Sequence, residues 1–374
     1  MFWKPVFKYL SLMLLSVVAF FPLTNSGAQI QSQRGWTQQS SGVLSKLNAI
    51  VFANRQRGWA AGGNGMLLST EDGGQHWQPM LLPPKMRKEP LLDLWANDKQ
   101  LLLLGEFGLF NRRPDIQWHE RVFLLRSEDR GALWMDAQLA RPPLQPNQSL
   151  TIKKTTKDTL EIEEPKPPPD PVLLRMAFAD ERIGWAVGEL GTIQATADGG
   201  ATWKLQVIQS RKILNDISAI DAQRAWIVGA AGLALHTEDG GQSWKEQPTG
   251  IATNLRAVHF VDANRGWAVG SGGVILSTVN GGARWQPQNS GTQQTLNDVY
   301  FVGSKEGWAV GERGTLLHTT DGGTTWLEES PGTRANLQRV FFVAPDCGWA
   351  VGTNGAIFSY GAKDSERPTI KPNQ

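Results

Sequence analysis

The residues of this 374-residue chain that could do chemistry recur in clusters. HTTDGGTTW, His318 to Trp326, places a carboxylate and two glycines ahead of a tryptophan. Such a cluster could be a metal loop, or a fragment of an acid/base site. The same pattern, Ser/Thr-x-Asp-x-Gly-x-x-Trp, returns with Asp72, Asp129, Asp198, Asp239 and Asp321, and with Asn280 in place of the acid. Six copies cannot all be active centres, and an amide is a poor metal ligand or proton shuttle. The pattern therefore reads as a turn device. Its carboxylate is expected to accept backbone N–H groups, its second glycine to take a positive φ, and its tryptophan to wedge against the turn and the neighbouring unit.

Other chemistry is sparse. Cys347 is the single cysteine, which excludes an internal disulfide and a cysteine-based metal site, and it reads as a small buried apolar side chain. His76, His119 and His259 have no metal-ligand spacing. His236 and His318 share one repeat position, held by Ser277 in another copy, and read as packing residues. No catalytic residue, metal or cofactor is assigned. The net charge of +2 gives no bulk attraction for nucleic acid.

The elements that must hold these clusters follow from their spacing. GWAVG and its variants place a first tryptophan at Trp185, Trp226, Trp267, Trp308 and Trp349, in steps of 41 residues. Gly58 to Trp77 is a further full copy. Leu94 to Phe110 and Leu124 to Trp134 are two halves of a degenerate one, split by extra residues near Asn111 to Val122. Each unit reads as four short strands, a to d, separated by glycine-containing turns. The last unit stops after GWAVGTNGAIFSYG, and its missing strand d lies at the other end, where WTQQSSG (Trp36 to Gly42) matches WQPQNSG (Trp285 to Gly291). The expected fold is all-β: a seven-bladed β-propeller closed by an N-terminal strand that completes the last blade.

Residues 1–28 read as a signal peptide, with Lys4 and Lys8 before an apolar core (Tyr9 to Leu23) and small residues at Ser26 to Ala28. No cysteine follows, so the expected product is an exported, periplasmic protein that is not a lipoprotein. The propeller is expected over 36–361, with insertions at about 111–122 and 139–171, followed by a tail at 362–374. Within the second insertion, KKTTKDTLEIEE is expected to be mobile or to form a short hairpin, and the proline-rich end to be stiff.

In an up-and-down blade the b–c and d–a loops share one face, here called upper, and the a–b and c–d turns share the lower face. Arg175, Arg256 and Arg339 early in strands a, Arg313 in a b–c loop and Arg334 in a d–a loop are the candidate partner-binding residues, a basic patch that could grip carboxylates. Reversing the charge at Arg175, Arg256, Arg313 and Arg339 is expected to weaken partner capture without unfolding the ring. Arg57 and Arg265, before GW, are expected to cap the a–b turn.

The glycine–aspartate turns resemble Asp-box repeats. Combined with GWAVG and a strand a of the LRAVHFVDANRGWAVG kind (Leu255 to Gly270), they resemble the photosystem II stability/assembly factor family over Trp36 to Tyr360. The resemblance implies a non-catalytic propeller on the lumenal or periplasmic side of a membrane. It would be a monomeric scaffold assisting assembly or stability of a membrane-protein complex and binding its partner partly through an arginine-rich surface. Two alternatives stand beside it: an Asp-box glycoside hydrolase of sialidase type and a periplasmic ligand-binding propeller. The hydrolase needs paired carboxylates or a tyrosine nucleophile, and only Tyr300 and Tyr360 follow the leader.

Overall fold

The computed structural model describes residues 34–108, 120–141, 151–154, 160–163 and 170–362. The leader, most of the first insertion, the proline-rich segment and the C-terminal tail beyond Ala362 lie outside the described residues. Seven four-stranded antiparallel sheets form the ring, in the order a-b-c-d within each blade. Their a strands are Leu47–Phe52, Leu91–Ala96, Leu173–Phe178, Leu214–Ala219, Leu255–Phe260, Leu296–Phe301 and Leu337–Ala344, and they define blades 1 to 7. In blade 6, strand b is Gly307–Gly311, c is Leu316–Thr319 and d is Leu327–Glu328. Strands a of successive blades pack against each other around the axis. An additional two-stranded pair, Thr151–Lys154 with Leu160–Glu163, is the hairpin within the second insertion.

Arg34–Gln39 pairs antiparallel with Ile357–Ala362, with Trp36 opposite Tyr360, and supplies strand d of blade 7. Trp36 packs edge-on against Phe342 and lies 5.2 Å from the Tyr360 ring.

The invariant-looking GW follows from packing inside each blade. Strand a ends in a phenylalanine whose ring lies over the first glycine of strand b, in the pairs Phe52–Gly58, Phe178–Gly184, Phe260–Gly266, Phe301–Gly307 and Phe342–Gly348. A Cβ on Gly266 would sit 2.6 Å from the Phe260 ring. Blade 4 makes the opposite choice, Ala219 opposite Ala225, and so keeps the volume balanced. Four of these phenylalanines also stack on the strand-b tryptophan of the preceding blade, Phe260 on Trp226 at 3.8 Å, Phe301 on Trp267 at 3.5 Å, Phe52 on Trp349 at 3.4 Å and Phe342 on Trp308 at 3.9 Å, whereas Phe178 stacks on Trp95 of strand a at 4.4 Å. Alternating phenylalanine and tryptophan rings thus form much of the inter-blade core.

The glycine–aspartate turns staple strand c to strand d. In blade 4, Thr237 Oγ1 donates to Asp239 Oδ1 at 2.8 Å and accepts the Gly241 N–H at 2.8 Å, and the same Oδ1 accepts the Ser243 N–H at 2.9 Å. Gly240 and Gly241 both have positive φ, 72° and 83°. Asn280 keeps the pattern, accepting from Thr278 Oγ1 and from the Arg284 N–H, each at 2.9 Å. Hydrogen bonds from Ser243 and Thr325 hold the Asp239 and Asp321 carboxyls down at about 2. At Asp198 burial works the other way, but bonds from Thr202 and Thr196 outweigh it, and that carboxyl also sits at about 2.

A second device ties the blades together. Three residues after the strand-d tryptophan, Gln206 donates from Nε2 to the Gly240 carbonyl of the next blade at 3.0 Å and accepts from Trp244 Nε1 at 3.0 Å. Gln288 does the same with Gly322 and Trp326, and Gln39 in the closing strand with Gly73 and Trp77. Blade 7 has no glycine–aspartate turn, so blade 6 carries Glu329 there instead. Glu329 accepts from Trp36 Nε1 at 2.9 Å and pairs with His318 at 2.9 Å. His236 and His318 lie flat on Trp226 and Trp308 at 4.5 and 4.6 Å.

The a–b turns are capped by carboxylates and amides rather than by the arginines before GW. Asn54 Oδ1 accepts the Gln56 and Arg57 N–H groups, and Asp262 Oδ1 those of Asn264 and Arg265. Short Asx side chains reach their own turn more readily than a guanidinium can. Arg57 instead pairs with Glu71 and Asp98.

Candidate partner surface and central channel

The third residue of each strand a faces the axis. Around the ring this position reads Ala49, Asp93, Arg175, Asp216, Ala257, Asp298 and Arg339. Closing the ring brings five charges into one buried cluster. Arg339 lies 3.2 Å from Asp298, 3.5 Å from Asp93 and 3.6 Å from Asp216. Arg175 reaches Asp216 at 4.0 Å and donates to the Leu92 and Leu174 carbonyls, each at 3.1 Å. Each aspartate uses its other oxygen on the next blade. Asp93 accepts the Met176 N–H at 2.7 Å, Asp216 that of Val258 at 2.9 Å and Asp298 that of Val340 at 2.8 Å. Burial pushes the Asp216 carboxyl up to about 6 although Arg339 pulls it down, and it raises Asp298 as well. This cluster binds blade to blade, as buried charges do only when paired and hydrogen-bonded.

Above it the rim of the channel is polar. Asn48, Asn215 and Asn297 each donate to the first carbonyl of the next strand a, at 2.8, 2.6 and 2.8 Å. With Lys46, Arg256 and Gln338 they line a cavity of about 260 Å³. Burial, then repulsion from Arg175 and Arg256, lowers the Lys46 ammonium from its ordinary value. Below the charge cluster the channel turns aromatic. His259 accepts the Phe301 N–H at its Nδ1 and stands 4.4 Å from the Tyr300 ring, which is 5.5 Å from that of Phe341. Burial holds the His259 imidazole down at about 4, so it is neutral at physiological pH.

The five candidate arginines therefore divide. Arg175 and Arg339 lie inside the channel and are bonded to aspartates and carbonyls, so their guanidinium groups are occupied by the protein itself. Arg256, Arg313 and Arg334 are exposed on the upper face. Arg313 and Arg334 belong to touching loops: a Cβ built on Gly314 would lie 3.5 Å from the Arg334 Cα, and the Arg313 N–H donates to Asn336 Oδ1 at 2.8 Å. Arg313 occupies the tip of its b–c loop at φ 56°, where other blades place Asn64, Leu190, Ala231, Gly272 or Asn354 in the same conformation. The left-handed region disfavours an ordinary side chain by about 1–2 kcal/mol, a cost that the b–c turn imposes wherever these blades carry a side chain there. Sequence reasoning missed the channel aspartates. Their signal was present as alternation of Asp and Arg at one column of the aligned repeats.

Both insertions open on the upper face. Where the second one starts, Gln194 of blade 3 reads the backbone of Ala140, accepting its N–H at 2.9 Å and donating to its carbonyl at 3.1 Å. Arg121, at the end of the first insertion, bridges Glu106 at 3.4 Å and Glu189 of blade 3 at 3.0 Å. Among the described residues no group of His, Cys, Asp and Glu could hold a metal ion, and no helix is long and apolar enough to cross a membrane.

The family model described as photosynthesis system II assembly factor YCF48 matches residues 155–250, 244–330 and 295–361. Among solved structures the chain is similar to YCF48 bound to D1 peptide, at 19% identity and a TM-score of 0.66, covering 88% of this chain and 97% of that one. It is similar to YCF48 from Cyanidioschyzon merolae at 20% identity and a TM-score of 0.64, covering 87% and 98%. A virginiamycin B lyase from Staphylococcus aureus, in a catalytically inactive form with quinupristin, shares the fold at 12% identity and a TM-score of 0.62, covering 88% and 99%. No curated protein matches the sequence.

Proposed function

From a chain that belongs to the photosynthesis system II assembly factor YCF48 family, we propose a non-catalytic scaffold that holds a subunit of a membrane-protein complex during its assembly. The reading places it, exported and monomeric, on the periplasmic or lumenal side of the membrane. The observation that carries it is the Arg313–Arg334 pair on touching upper loops, with Arg256 at the channel rim. These are three exposed guanidinium groups without a carboxylate partner among the ion pairs of the described residues, and their chemistry suits bidentate capture of carboxylates on an extended peptide. A solved YCF48 holds a D1 peptide, and the proposed ligand here is likewise a peptide segment of a membrane-complex subunit.

Catalysis has less support. The channel carboxylates, where a propeller hydrolase would carry its acid pair, each accept a backbone N–H and share Arg339. Turnover of a sialoside or glucan by the purified chain, lost in Asp216→Asn, would overturn the non-catalytic reading.

The test of the scaffold is affinity capture from detergent-solubilised envelope, followed by mass spectrometry. The expected result is recovery of membrane-complex subunits by the wild type and their loss with Arg313→Glu/Arg334→Glu. Equal recovery by both proteins would refute the arginine site.

A further inference from the structure

Three loops of the upper face share a construction that the repeat does not require. Each joins strand d of one blade to strand a of the next, and each carries two neighbouring apolar residues, one packed inward and one turned out. Before blade 1, Val43 packs into the core beneath, while Leu44 is 88% exposed. Before blade 2, Leu82 is buried, while Leu81 is 79% exposed. Before blade 4, Ile208 packs inward, while Val207 is 89% exposed.

The inward residue anchors the loop; the outward one has no folding role. Each loop adds exposed cations close by: Lys46 beside Leu44, Arg87 and Lys88 after Leu81, and Arg211 and Lys212 after Val207. Leu190, at the tip of the blade 3 b–c loop, is exposed too and holds the unfavourable left-handed conformation at φ 55°.

The loops before blades 5 and 6 lack the outward apolar residue and the cations, although Ile251 still packs inward before blade 5. Where the first loop has Leu44 and Lys46, they have Ala252 and Asn254, and Gln293 and Thr295. The apolar and basic residues thus occupy one arc, from blade 1 to blade 4, and the Arg313–Arg334 pair on blades 6 and 7 lies outside it. The lower face has the opposite charge balance, with Glu71, Glu128, Glu181, Asp198, Glu238 and Asp321 in its turns. A single exposed apolar residue means little. Projecting apolar tips interleaved with cations along one edge, on a face opposite an acidic one, match an anionic lipid surface: the tips enter the acyl boundary and the cations meet the headgroups.

We propose that this arc of the upper face, with Leu44, Leu81, Leu190 and Val207 as its apolar tips, rests on an anionic phospholipid bilayer. The bilayer then orients the ring so that the neighbouring arginine pair faces membrane-embedded partners. The proposal goes beyond the scaffold reading and does not depend on any protein partner.

The test is co-sedimentation of the purified mature chain with protein-free vesicles of phosphatidylcholine alone or of phosphatidylcholine with about one third phosphatidylglycerol, a composition chosen to give a negative surface potential. Binding is expected only with phosphatidylglycerol, and to fall steeply as salt is raised towards about 0.5 M. Replacing Lys46, Arg87, Lys88, Arg211 and Lys212 by Gln should weaken it at least about a hundredfold, since each cation near such a surface is worth about fivefold. Leu44→Ser/Leu81→Ser/Val207→Ser should weaken it at least about tenfold, each tip losing several buried methylene equivalents. The tips are exposed, so the Ser variant should match the wild type in circular dichroism and melting, and the Gln variant should keep the same circular dichroism and melt only slightly lower, through loss of the Arg87 bond to the Leu82 carbonyl. Arg313→Glu/Arg334→Glu should still bind vesicles within about threefold, having lost charge outside the arc, which separates failure of the scaffold reading from failure of this one. No excess binding to the anionic vesicles, or binding unchanged in both the Gln and the Ser variants, would overturn the proposal; so would capture of a protein through the arc without any lipid binding.

Discussion

Arg339→Met should destabilise the ring, and the loss should depend on pH in a particular direction. The guanidinium stands 3.2, 3.5 and 3.6 Å from Asp298, Asp93 and Asp216. At an effective dielectric of 20 each contact is worth about 5 kcal/mol of Coulomb attraction, most of it offset by desolvation of the four groups. Removing the shared partner leaves three buried carboxylates with Arg175 alone, 4.0 Å from Asp216. Breaking a buried ion pair in this way costs about 3–5 kcal/mol. Methionine retains the aliphatic bulk, so the loss is electrostatic.

The sign follows from linkage. Asp216 already titrates at about 6 in the folded protein because burial outweighs the pull of Arg339, against about 3.9 in an unfolded chain. An acid whose folded value is raised loses stability as pH rises through the window between those two values. Without Arg339 the folded values of Asp216 and Asp298 climb further and the window widens upwards. Urea titrations at pH 7.5 should therefore show the full 3–5 kcal/mol loss, and at pH 4.5, where the folded Asp216 is protonated, less than about half of it. Arg339→Met/Asp298→Asn should recover part of the loss at pH 7.5, because the amide oxygen can still accept the Val340 N–H. A loss below about 1 kcal/mol at pH 7.5, or one of equal size at both pH values, would refute the reasoning.

Three further outcomes are expected. Ala219→Phe alone should cost about 1–3 kcal/mol by overpacking against Ala225, whereas Ala219→Phe/Ala225→Gly should restore stability and add a stack on Trp185 worth about 0.5–1.5 kcal/mol; thermal melts of the two variants decide this. Asp239→Asn/Asp321→Asn should melt below the wild type at pH 7, because the amide keeps the Oδ1 turn bonds but loses the charged oxygen that accepts from the Ser243 and Thr325 hydroxyls. The wild type gains stability from these depressed carboxyls above pH 3.8 and loses it as pH falls towards 2, so the variant's melting temperature should drop less between pH 4 and pH 2.5. Trp36→Ala should cost about 2–3 kcal/mol, below the value for a fully buried ring, and hydrogen exchange should show lost protection in Ile357–Ala362, the strand it covers.

The ring, its blade count and its closure were legible because five blades repeat the same solution at one spacing and a sixth full copy and a split one precede them. Trp185, Trp226, Trp267, Trp308 and Trp349 mark one position in strand b, and the shortfall after Tyr360 is matched by the surplus at Trp36. The Phe–Gly packing pair could be read only with the register in hand, where Ala219–Ala225 in blade 4 and Ala96–Leu101 in blade 2 replace it in the two blades without GW. The channel was hidden for a different reason. Asp93 and Arg339 are 246 positions apart and meet only when the ring shuts, and no single repeat shows a charge pair. Arg175 and Arg339 taken one at a time look like surface arginines; alternating with Asp93, Asp216 and Asp298 they are a neutralising lattice.

That division has a consequence for where function can sit. On the lower face the turns are committed to structure: an acid or amide bonds its own backbone in the c–d turns of blades 1 to 6, and glutamines from the preceding blade hold glycine carbonyls. A side chain added there would have to displace a bond that holds two blades together. The upper loops carry fewer such duties, needing only a glycine-containing bend and one inward apolar anchor, so they can vary without opening the ring. Variation is indeed concentrated there, in two insertions, in Arg313 and Leu190 at positions that favour glycine or asparagine, and in the outward residues Leu44, Leu81 and Val207. A propeller whose lower face and channel are both occupied in holding blades together has its upper face left for recognition. A lower-face partner that survives Arg313→Glu/Arg334→Glu, and is lost when Glu71 and Glu238 are replaced by Gln, would break that argument.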